Sequence, residues 1–463
     1  MSELKDLKLL SKKKKLGFSF GYLGIVLANW TFATYIFFFY ASVIGLDPIL
    51  IGLALGILGI WDMVNDPIMG HLSDKTKTRW GRRRPYLIFG TIPLIISFIM
   101  LWWNPFTEQI MIFFYFLTIM IIFEWTYTMI SLSYGALYPE LTPYIKERLE
   151  IASYSEFFDL IALILGYVLS LIIVGILIGL GYTAATSWLL MSVIMALIML
   201  ISIYTATIVT KEQKIFYEAQ ALRLSEALKY TWKNKAFRIV VLAWLCISIA
   251  YILGSATAIF FTTYILGMNE LESAISLLFI FLTAIPCLYV WYKLSQKYGT
   301  VRSTMGAMIL FGFAFILLLF VIDVLIFVVA IAILGIGMAG VILLPQTLYA
   351  DVIDEDELIT GVRREGMFQG IRTFIVKASV SISYVTMAVV LELSGFQSGA
   401  SVQSKSALQG IRLLISIIPA GFMFLGIIIY IRYPLKGDRL KEVKNKVIKL
   451  HEEKRRTFEK MEE

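Results

Sequence analysis

The amino-acid sequence predicts an all-α membrane protein with twelve transmembrane helices in two six-helix halves. Three observations support this fold class: an apolar composition, a series of long apolar segments, and the alternating placement of basic residues. The 463-residue chain is 59% hydrophobic and 16% charged, and its mean hydropathy is +0.80. Because soluble domains carry about 25% charged residues, this composition excludes a water-soluble globular protein.

Each apolar segment is long enough to cross a hydrocarbon core about 30 Å thick. The segments, numbered spans 1 to 12, cover residues 17–43, 49–72, 85–104, 108–136, 151–179, 184–209, 239–266, 271–296, 304–321, 324–349, 367–394 and 407–433. The N-terminal residues are polar, and span 1 lacks a small-residue cleavage pattern. We therefore expect span 1 to remain in the membrane.

Basic residues alternate from loop to loop. They precede span 1 and follow spans 2, 4, 6, 8 and 10, whereas the intervening loops carry almost none apart from Lys405. Cytoplasmic loops carry such an excess of Lys and Arg, so we expect a multi-pass plasma-membrane protein with both termini in the cytoplasm. The lack of a targeting segment favours a prokaryotic membrane. The net charge of +8 then reflects topology and contact with membrane lipids, not binding to nucleic acid.

The longest internal polar segment, residues 211–236, divides the chain near its midpoint. Its amphipathic pattern predicts a linker on the inner membrane surface. The predicted domains are a cytoplasmic N-terminal segment (1–16), a first six-helix half (17–210), the cytoplasmic linker (211–236), a second six-helix half (237–433) and a cytoplasmic tail (434–463). The tail is expected to be a charged, solvated helix or a disordered segment. Two halves around a central linker is the plan of the major facilitator fold.

Span 2 carries acidic residues within the membrane. In WDMVNDPIMG, residues 61–70, helical spacing places Asp62 and Asp66 one turn apart, with Asn65 beside both. Pro67 has no N–H, so the carbonyl four residues earlier loses its helical partner. Carboxylate, amide and carbonyl oxygens are ligands for hard cations, and this cluster predicts a cation site where Na⁺ could bind Asp62 and Asp66. The alternative is that these groups only pair with other helices.

Three further spans carry polar residues at membrane depth. They are Glu124, Thr128 and Ser131 on span 4, Glu156 and Asp159 on span 5, and Gln369, Arg372, Thr373 and Lys377 on span 11. With span 2 included, the spans contain five acidic and only two basic residues at this depth. Such an excess is costly in a membrane, so either some carboxylates are protonated or a cation binds. Both alternatives point to coupling with H⁺ or Na⁺.

Aromatic residues make up 14% of the chain. Rings such as Trp30 and Tyr127 on spans 1 and 4 suit the apolar faces of a sugar, although the membrane core or an interfacial belt is the commoner role for any single ring. Trp102 and Trp103, at the end of span 3, are expected to be belt residues.

Three stretches, residues 61–86, 134–158 and 349–377, together resemble the glycoside–pentoside–hexuronide:cation symporters, the melibiose-permease branch of the major facilitator superfamily. The resemblance implies alternating access in a twelve-helix symporter. It also implies a coupling-cation site. The matching residues here are Asp62, Asn65, Asp66 and Thr128, with Lys377 as a neighbour.

The sugar-contacting positions of that family match poorly. They hold Asn29 on span 1, Ser131 on span 4, Glu156 on span 5 and Arg372 on span 11. We expect a substrate between these four spans, and the candidate contacts are Asn29, Trp30, Glu124, Tyr127, Ser131, Glu156, Asp159, Gln369, Arg372 and Thr373. Arg372 either clamps a substrate carboxylate, as a hexuronide would require, or pairs with Glu156.

The loops after spans 2 and 10 are predicted to act as a gate. Their charged residues are Asp74, Arg79, Arg83, Asp354, Arg363 and Arg364. Salt bridges among these loops and the helix ends would hold the cytoplasmic face shut in one state. The alternative is that these charges serve topology alone.

The expected function is secondary active transport: symport of a sugar, glycoside or hexuronide with Na⁺ or H⁺. A lipid or lysolipid carrier on the same fold is the alternative, and a non-transporting sensor is a further one. With two His and two separate Cys, the sequence offers no catalytic set, so we expect no enzyme activity. We expect a monomer that binds a small molecule and uses no cofactor beyond the coupling cation.

Overall fold

The computed structural model describes residues 10–76, 78–142, 144–210, 234–360, 365–447 and 449–450. Within this part of the chain, twelve helices are long and apolar enough to cross a membrane, and there is no β-strand. The predicted all-α class with twelve spans is therefore confirmed.

The first six spans follow each other with short connections. Span 1 is the helix Lys12–Phe38 continued by the π-helical segment Phe39–Ile44, span 2 is Pro48–Lys75, span 3 is Arg84–Leu101, span 4 is Gln109–Leu141, span 5 combines Ile145–Ile164, the π-helical segment Leu165–Leu169 and Ser170–Gly179, and span 6 is Ala184–Val209.

The second six spans differ from the prediction in two places, at the end of span 10 and inside span 12. Span 7 is Lys235–Phe260 with the π-helical segment Phe261–Ile265, span 8 is Glu270–Tyr298, span 9 is Thr300–Leu319, span 10 is Val324–Thr360, span 11 is Glu365–Leu393, and span 12 consists of Lys405–Ile415 and Ile417–Ile431. Span 10 extends well past its apolar segment. Span 12 is interrupted at Ser416 because Pro419 has no N–H to donate to the carbonyl of Ile415.

The chain forms two compact units. Unit 1 consists of Met1–Ala219, Ser255–Ile275 and Tyr384–Ile411, and unit 2 consists of Gln220–Gly254, Ser276–Ser383 and Arg412–Glu463. Unit 1 therefore combines spans 1 to 6 with the C-terminal parts of spans 7 and 11 and the N-terminal parts of spans 8 and 12. The predicted domain boundaries stay a prediction.

Aromatic rings fill the core of unit 1 near the ends of spans 1 and 3. Trp102 is 0% exposed, and its ring stacks on that of Trp188 with centroids 5.3 Å apart. Phe39 lies against both rings, at 5.3 Å and 5.9 Å. The prediction that Trp102 belongs to an interfacial belt is therefore wrong: its ring points into the bundle. Trp103, the next residue, is exposed.

The later segments of unit 1 pack on span 1 and on the loop after it. The ring of Phe260 meets that of Phe38 edge to face at 5.1 Å, and the hydroxyl of Tyr384 donates to the carbonyl of Ala33 at 2.6 Å. The N–H of Gly399 donates to the carbonyl of Ala41 at 2.9 Å. Gly399 has a φ of +73°, which other residues adopt only with strain.

In unit 2, glycines on span 10 allow close contact with spans 8 and 9. A Cβ at Gly337 would lie 2.7 Å from the Cα of Phe311, and one at Gly335 would overlap the carbonyl of Ile280. Small residues of this kind let membrane helices approach closely and gain van der Waals contact. These close contacts fix the position of span 10, which also carries Tyr349 and several acidic residues.

Candidate cation and substrate sites

Asn65 joins span 2 to span 4. Its side chain is 0% exposed, and Nδ2 donates to the carbonyl of Glu124 at 3.2 Å. One turn away, the rings of Trp61 and Trp125 stack with centroids 5.8 Å apart. These two contacts hold the amide of Asn65 in a fixed orientation against span 4.

The second polar atom of that amide is buried and unsatisfied. Oδ1 of Asn65 has no hydrogen-bond partner among the described residues. The helix continues through Pro67. Asp62, three residues before Asn65, and Asp66, one residue after it, are half-buried. A buried amide oxygen without a donor is unfavourable, whereas an oxygen flanked by carboxylates suits a hard cation.

Thr128 lies one helical turn after Glu124, on the same side of span 4. It is buried, and Oγ1 is 3.5 Å from Oε1 of Glu124. In the described part of the chain, no group of three or more His, Cys, Asp or Glu is placed to hold a metal ion. A cation at span 2 would therefore depend on amide, hydroxyl or backbone oxygens in addition to the two aspartates.

Trp30 and Asp159 connect spans 1 and 5. Nε1 of Trp30 donates to Oδ1 of Asp159 at 2.9 Å. A Cβ at Gly166 would lie 2.9 Å from the Cβ of Trp30, so the small residue in the π-helical part of span 5 lets span 5 approach span 1 closely at Trp30. Both predicted substrate residues are thus held by direct contacts within unit 1.

Charged groups from three spans act on one tyrosine. The phenol of Tyr127 interacts electrostatically with the carboxylates of Glu124, Asp62 and Asp159. These residues, all predicted for the cation or substrate site, therefore belong to one polar cluster in unit 1.

Tyr22 is a member of this cluster that sequence reasoning missed. Its phenol interacts with Asp159 and Glu156. The signal was present, because Tyr22 precedes Asn29 by two helical turns and therefore lies on the same face of span 1.

The other predicted substrate residues of unit 1 are less enclosed. Asn29 and Glu156 are exposed. Ser131 is half-buried, and its hydroxyl lies 3.4 Å from the carbonyl of Thr128 on its own helix. Their role as substrate contacts stays a prediction.

Unit 2 carries the predicted residues of span 11. The guanidinium of Arg372 lies 4.0 Å from the ring centroid of Trp244 on span 7 and 5.5 Å from that of Tyr349 on span 10. Thr373 is exposed and Lys377 is half-buried. The side chain of Gln369 lies outside the described residues.

The residues predicted to form a gate are only partly described. Arg83 is 8% exposed, and its guanidinium donates to the hydroxyl of Ser73. Arg79 lies over the ring of Trp80 at 4.2 Å, and Asp354 is half-buried at the end of span 10. The side chain of Asp74 and residues Arg363 and Arg364 lie outside the described residues.

The C-terminal tail contributes contacts that the sequence did not predict. Residues 438–447 are helical. Lys444 Nζ lies 3.2 Å from Oδ1 of Asp351, and Arg439 Nη2 lies 2.7 Å from Oε1 of Glu355, both acids of span 10. This part of the tail is therefore a docked helix, neither disordered nor fully solvated.

Comparison with known proteins identifies the family. The family model described as MFS/sugar transport protein matches residues 17–437. The chain belongs to this family. Membership confirms the predicted resemblance to the cation symporters of the major facilitator superfamily, and it identifies the chain as a multi-pass membrane protein of a transporter family.

Relatives in the MFS/sugar transport family match almost the whole chain. An uncharacterized symporter of Synechocystis sp. is 28% identical, over 94% of this chain and 96% of its own. The glucuronide carrier protein homolog of Escherichia coli is 26% identical, over 94% and 95%. A sodium-dependent lysophosphatidylcholine symporter of Danio rerio is 24% identical, over 89% and 83%.

Solved structures of other transporters share the fold. A bacterial homologue of the human lysosomal transporter Spinster, in an inward-facing and unoccupied conformation, aligns with a TM-score of 0.67 at 11% identity, over 92% of this chain and 100% of its own. The nucleoside transporter NupG aligns with a TM-score of 0.63 at 13% identity, over 91% and 99%. At these identities the likeness concerns the fold alone.

Proposed function

We propose that this member of the MFS/sugar transport family is a cation-coupled symporter of a small organic solute. The observation that carries the proposal is the buried, unsatisfied Oδ1 of Asn65 between Asp62 and Asp66. A cation there offsets the negative charge of span 2 and favours one conformation. Cation and solute then cross together because each stabilises the same state.

Thr128 and Lys377 are proposed as further members of the cation site. Thr128 supplies a hydroxyl oxygen on the span that Asn65 contacts. Lys377 is a half-buried cation on span 11, and we propose that its charge tunes the affinity for the coupling ion. Na⁺ and H⁺ are the two candidate coupling ions.

The proposed solute is a sugar, a glycoside or a hexuronide. Support comes from relatives named as a glucuronide carrier homolog, an isoprimeverose transporter and a putative glycoside/cation symporter. The aromatic and acidic groups around Trp30, Tyr127 and Asp159 suit a ligand with apolar faces and hydroxyl groups.

A lysolipid is the second candidate. It is favoured by the relatives named as sodium-dependent lysophosphatidylcholine symporters, which match at 22% to 24% identity. The proposed cation site would serve both candidates, so a test of that site does not depend on the choice of solute.

We propose a monomer in the plasma membrane with both termini in the cytoplasm, as the alternation of basic loops indicates. Salt bridges between the loops after spans 2 and 10 are proposed to close the cytoplasmic face during alternating access.

The decisive experiment is isothermal titration of the purified protein with Na⁺ at several pH values. The variants are Asp62→Asn, Asp66→Asn and, as a control on the same helix, Asp47→Asn, whose side chain is exposed at the start of span 2. Saturable Na⁺ binding that is lost in the first two variants and kept in the control supports Na⁺ coupling at this site.

Two other outcomes have different meanings. If Na⁺ does not bind but adding a solute releases protons in the wild type and not in Asp66→Asn, the coupling ion is H⁺. If neither response occurs and the variants match the wild type, the polar residues of span 2 are structural and the coupling proposal fails.

A further inference from the structure

The loop between spans 11 and 12, residues 394–404, folds back onto the end of span 1. The hydroxyl of Ser398 donates to the carbonyl of Leu46 at 2.8 Å, and the N–H of Gly399 donates to the carbonyl of Ala41 at 2.9 Å. Ala41 and Leu46 are both 0% exposed. The loop therefore supplies hydrogen-bond donors to the backbone of two buried residues, one on each side of the turn that ends span 1.

Two glycines allow this close contact. Gly45 ends the π-helical segment of span 1 with a φ of +86°, and Gly399 has a φ of +73°. Other residues adopt these values only with strain. A Cβ on Gly399 would lie 3.5 Å from the Cα of Gly45, and a Cβ on Gly45 would lie 3.9 Å from the Cα of Gly399. The two turns therefore face each other so closely that a single added methyl group would reach across.

The loop has a fixed shape of its own. Gln403 is 8% exposed, and its Oε1 accepts from the N–H of Gln397 at 2.9 Å. Its Nε2 donates to the carbonyls of Gln397 and Ala400, at 2.8 Å and 3.1 Å. At the start of the loop, the buried ring of Phe396 meets that of Phe260 edge to face at 5.6 Å. The donors of the loop are thus positioned before they bind span 1, which lowers the entropic cost of closing the contact.

This loop joins parts of the two predicted six-helix halves, because it belongs to the second half and span 1 to the first. Further along span 1, the ring of Phe38 meets that of Phe260, and the carbonyl of Ala33 accepts from the hydroxyl of Tyr384. The loop therefore lies at the outer end of a series of contacts between the halves. In the proposed topology this end faces the outside of the cell, and alternating access requires it to open in one state.

The hydrogen bonds of the loop suit a contact that opens and closes. Ser398 is half-buried and Gly399 is exposed, so water can replace both bonds when the loop moves away. A hydrogen bond that water can replace contributes little net free energy. The closed contact is therefore held weakly enough to be reversible, in contrast to the buried ring contacts deeper along span 1.

We propose that residues 394–404 form an external latch, which binds the end of span 1 while the external side is closed and releases it when that side opens. The inference rests on the proposed transport function and adds an element that controls access from outside. Ser398 and Gly399 make the closing contacts, and Gln403 keeps the loop in the shape that reaches span 1.

The test measures how fast a membrane-impermeant maleimide, added outside right-side-out vesicles, labels the full-length chain carrying Ala33→Cys. The background is Cys246→Ala with Cys287→Ala, which removes the two native thiols. Ala33 precedes Ala41 by eight residues and lies about 12 Å further along span 1. Its labelling therefore reports opening beneath the external latch and needs neither a known solute nor a known coupling ion.

A disulfide can hold the external latch closed in this assay. Gly45→Cys with Gly399→Cys is the locking pair, because the two glycines approach within the range that a disulfide requires. Gly17→Cys with Val209→Cys is the matched control. A Cβ on Gly17 would lie 3.6 Å from the Cβ of Val209, and both residues belong to the first six-helix half. Each pair is oxidised before labelling, and mass spectrometry verifies the bond.

We expect the disulfide between positions 45 and 399 to slow labelling of Ala33→Cys at least about tenfold, because the closed state can no longer open. Reduction should restore the rate, and the control pair should change it less than about twofold. Without any disulfide, Ser398→Ala should speed labelling about twofold to tenfold, since the closed state loses one hydrogen bond. Ser401→Ala, at an exposed serine of the same loop, should leave the rate unchanged.

Four results overturn the external latch. They are equal labelling of the locked and reduced chains, failure of the folded chain to form the disulfide between positions 45 and 399, equal rates for Ser398→Ala and Ser401→Ala, and labelling of Ala33→Cys from the cytoplasmic side alone. If the locking pair does not fold, Ser398→Ala decides. The coupling proposal is judged separately by the Na⁺ titration of the span 2 variants, so each proposal can fail while the other stands.

Discussion

The indole of Trp30 donates a hydrogen bond of 2.9 Å to the carboxylate of Asp159 and thereby joins span 1 to span 5. The bond is charge-assisted, and both residues are half-buried. Charge-assisted bonds contribute about 1.5–3 kcal/mol when buried. This bond fixes the orientation of an acid that the proposed solute would contact.

Trp30→Phe keeps the ring and removes the donor. We expect the KM for solute uptake to rise about fivefold to tenfold, because Asp159 loses its oriented partner, while the thermal midpoint falls by only a few degrees. Uptake into proteoliposomes and thermal unfolding in detergent measure the two effects. Trp103→Phe, at an exposed tryptophan after span 3, is the control. An unchanged KM in Trp30→Phe would contradict the predicted role of Asp159.

Asn65→Leu separates a binding role from a structural one. It removes the unsatisfied Oδ1 together with one hydrogen bond to Glu124. We expect the free energy of unfolding to change by no more than about 1 kcal/mol, because the lost bond and the relieved oxygen offset each other. The affinity for Na⁺ should fall about tenfold or more, since a ligand is gone.

Asn269→Leu is the matched control for this variant. Oδ1 of Asn269 accepts from the N–H of Glu272 at 2.8 Å, and Oε2 of Glu272 accepts from the N–H of Asn269 at 3.0 Å. Losing this cap of span 8 should cost about 0.5–2 kcal/mol and leave the affinity for Na⁺ unchanged. If Asn65→Leu instead loses stability and keeps its affinity, Asn65 is structural.

Gly52 controls how closely span 2 approaches span 11. A Cβ at Gly52 would overlap the Cβ of Ala388, near the hydrogen bond from Tyr384 to Ala33. Gly52→Ala should therefore destabilise this packing by about 1–3 kcal/mol and slow transport if the contact forms in each cycle.

Gly421→Ala controls for the added methyl group. No atom lies within 4 Å of a Cβ at that position of span 12. Alanine there should raise the free energy of unfolding by about 0.5–1 kcal/mol, because glycine is entropically unfavourable in a helix. Thermal unfolding of both variants measures the difference, and equal midpoints would contradict the close approach at Gly52.

Sequence reasoning located the spans because hydropathy and loop charge report directly on the membrane. It located Asp62, Asn65 and Asp66 because their spacing on one helix is local information. The neighbours of Arg372 depend on how spans 7, 10 and 11 pack, which no local pattern records. For the same reason, the position of Trp102 at the end of span 3 suggested a membrane interface, whereas its ring faces the core.

The docking of the C-terminal tail is another contact that the local sequence pattern did not predict. Its charges predicted a solvated segment, but Val443 and Val447, one turn apart, are buried. A two-residue apolar stripe in a charged helix is too weak a signal to predict docking. The acids that receive the helix lie on span 10, far away in the sequence.

Lys444 provides the test of this docking. Its Nζ lies 3.2 Å from Oδ1 of Asp351, and their side chains are 52% and 7% exposed. Lys444→Gln leaves a buried carboxylate without its cation. Breaking a fully buried ion pair in this way lowers the free energy of unfolding by about 3–5 kcal/mol. Because Lys444 is half exposed, water solvates part of the charge that remains, and we expect the free energy of unfolding to fall by about 1–2 kcal/mol.

Lys441→Gln is the matched control on the same helix, since Lys441 pairs with Asp438 at 3.5 Å and both are exposed. Its effect should stay within about 0.5 kcal/mol. Combining Lys444→Gln with Asp351→Asn removes the uncompensated charge and should recover most of the loss, which a double-mutant cycle of unfolding free energies measures. If the two lysine variants unfold alike, or if Asp351→Asn gives no recovery, the ion pair does not anchor the tail. Its docking would then depend on the buried face of Val443 and Val447 alone.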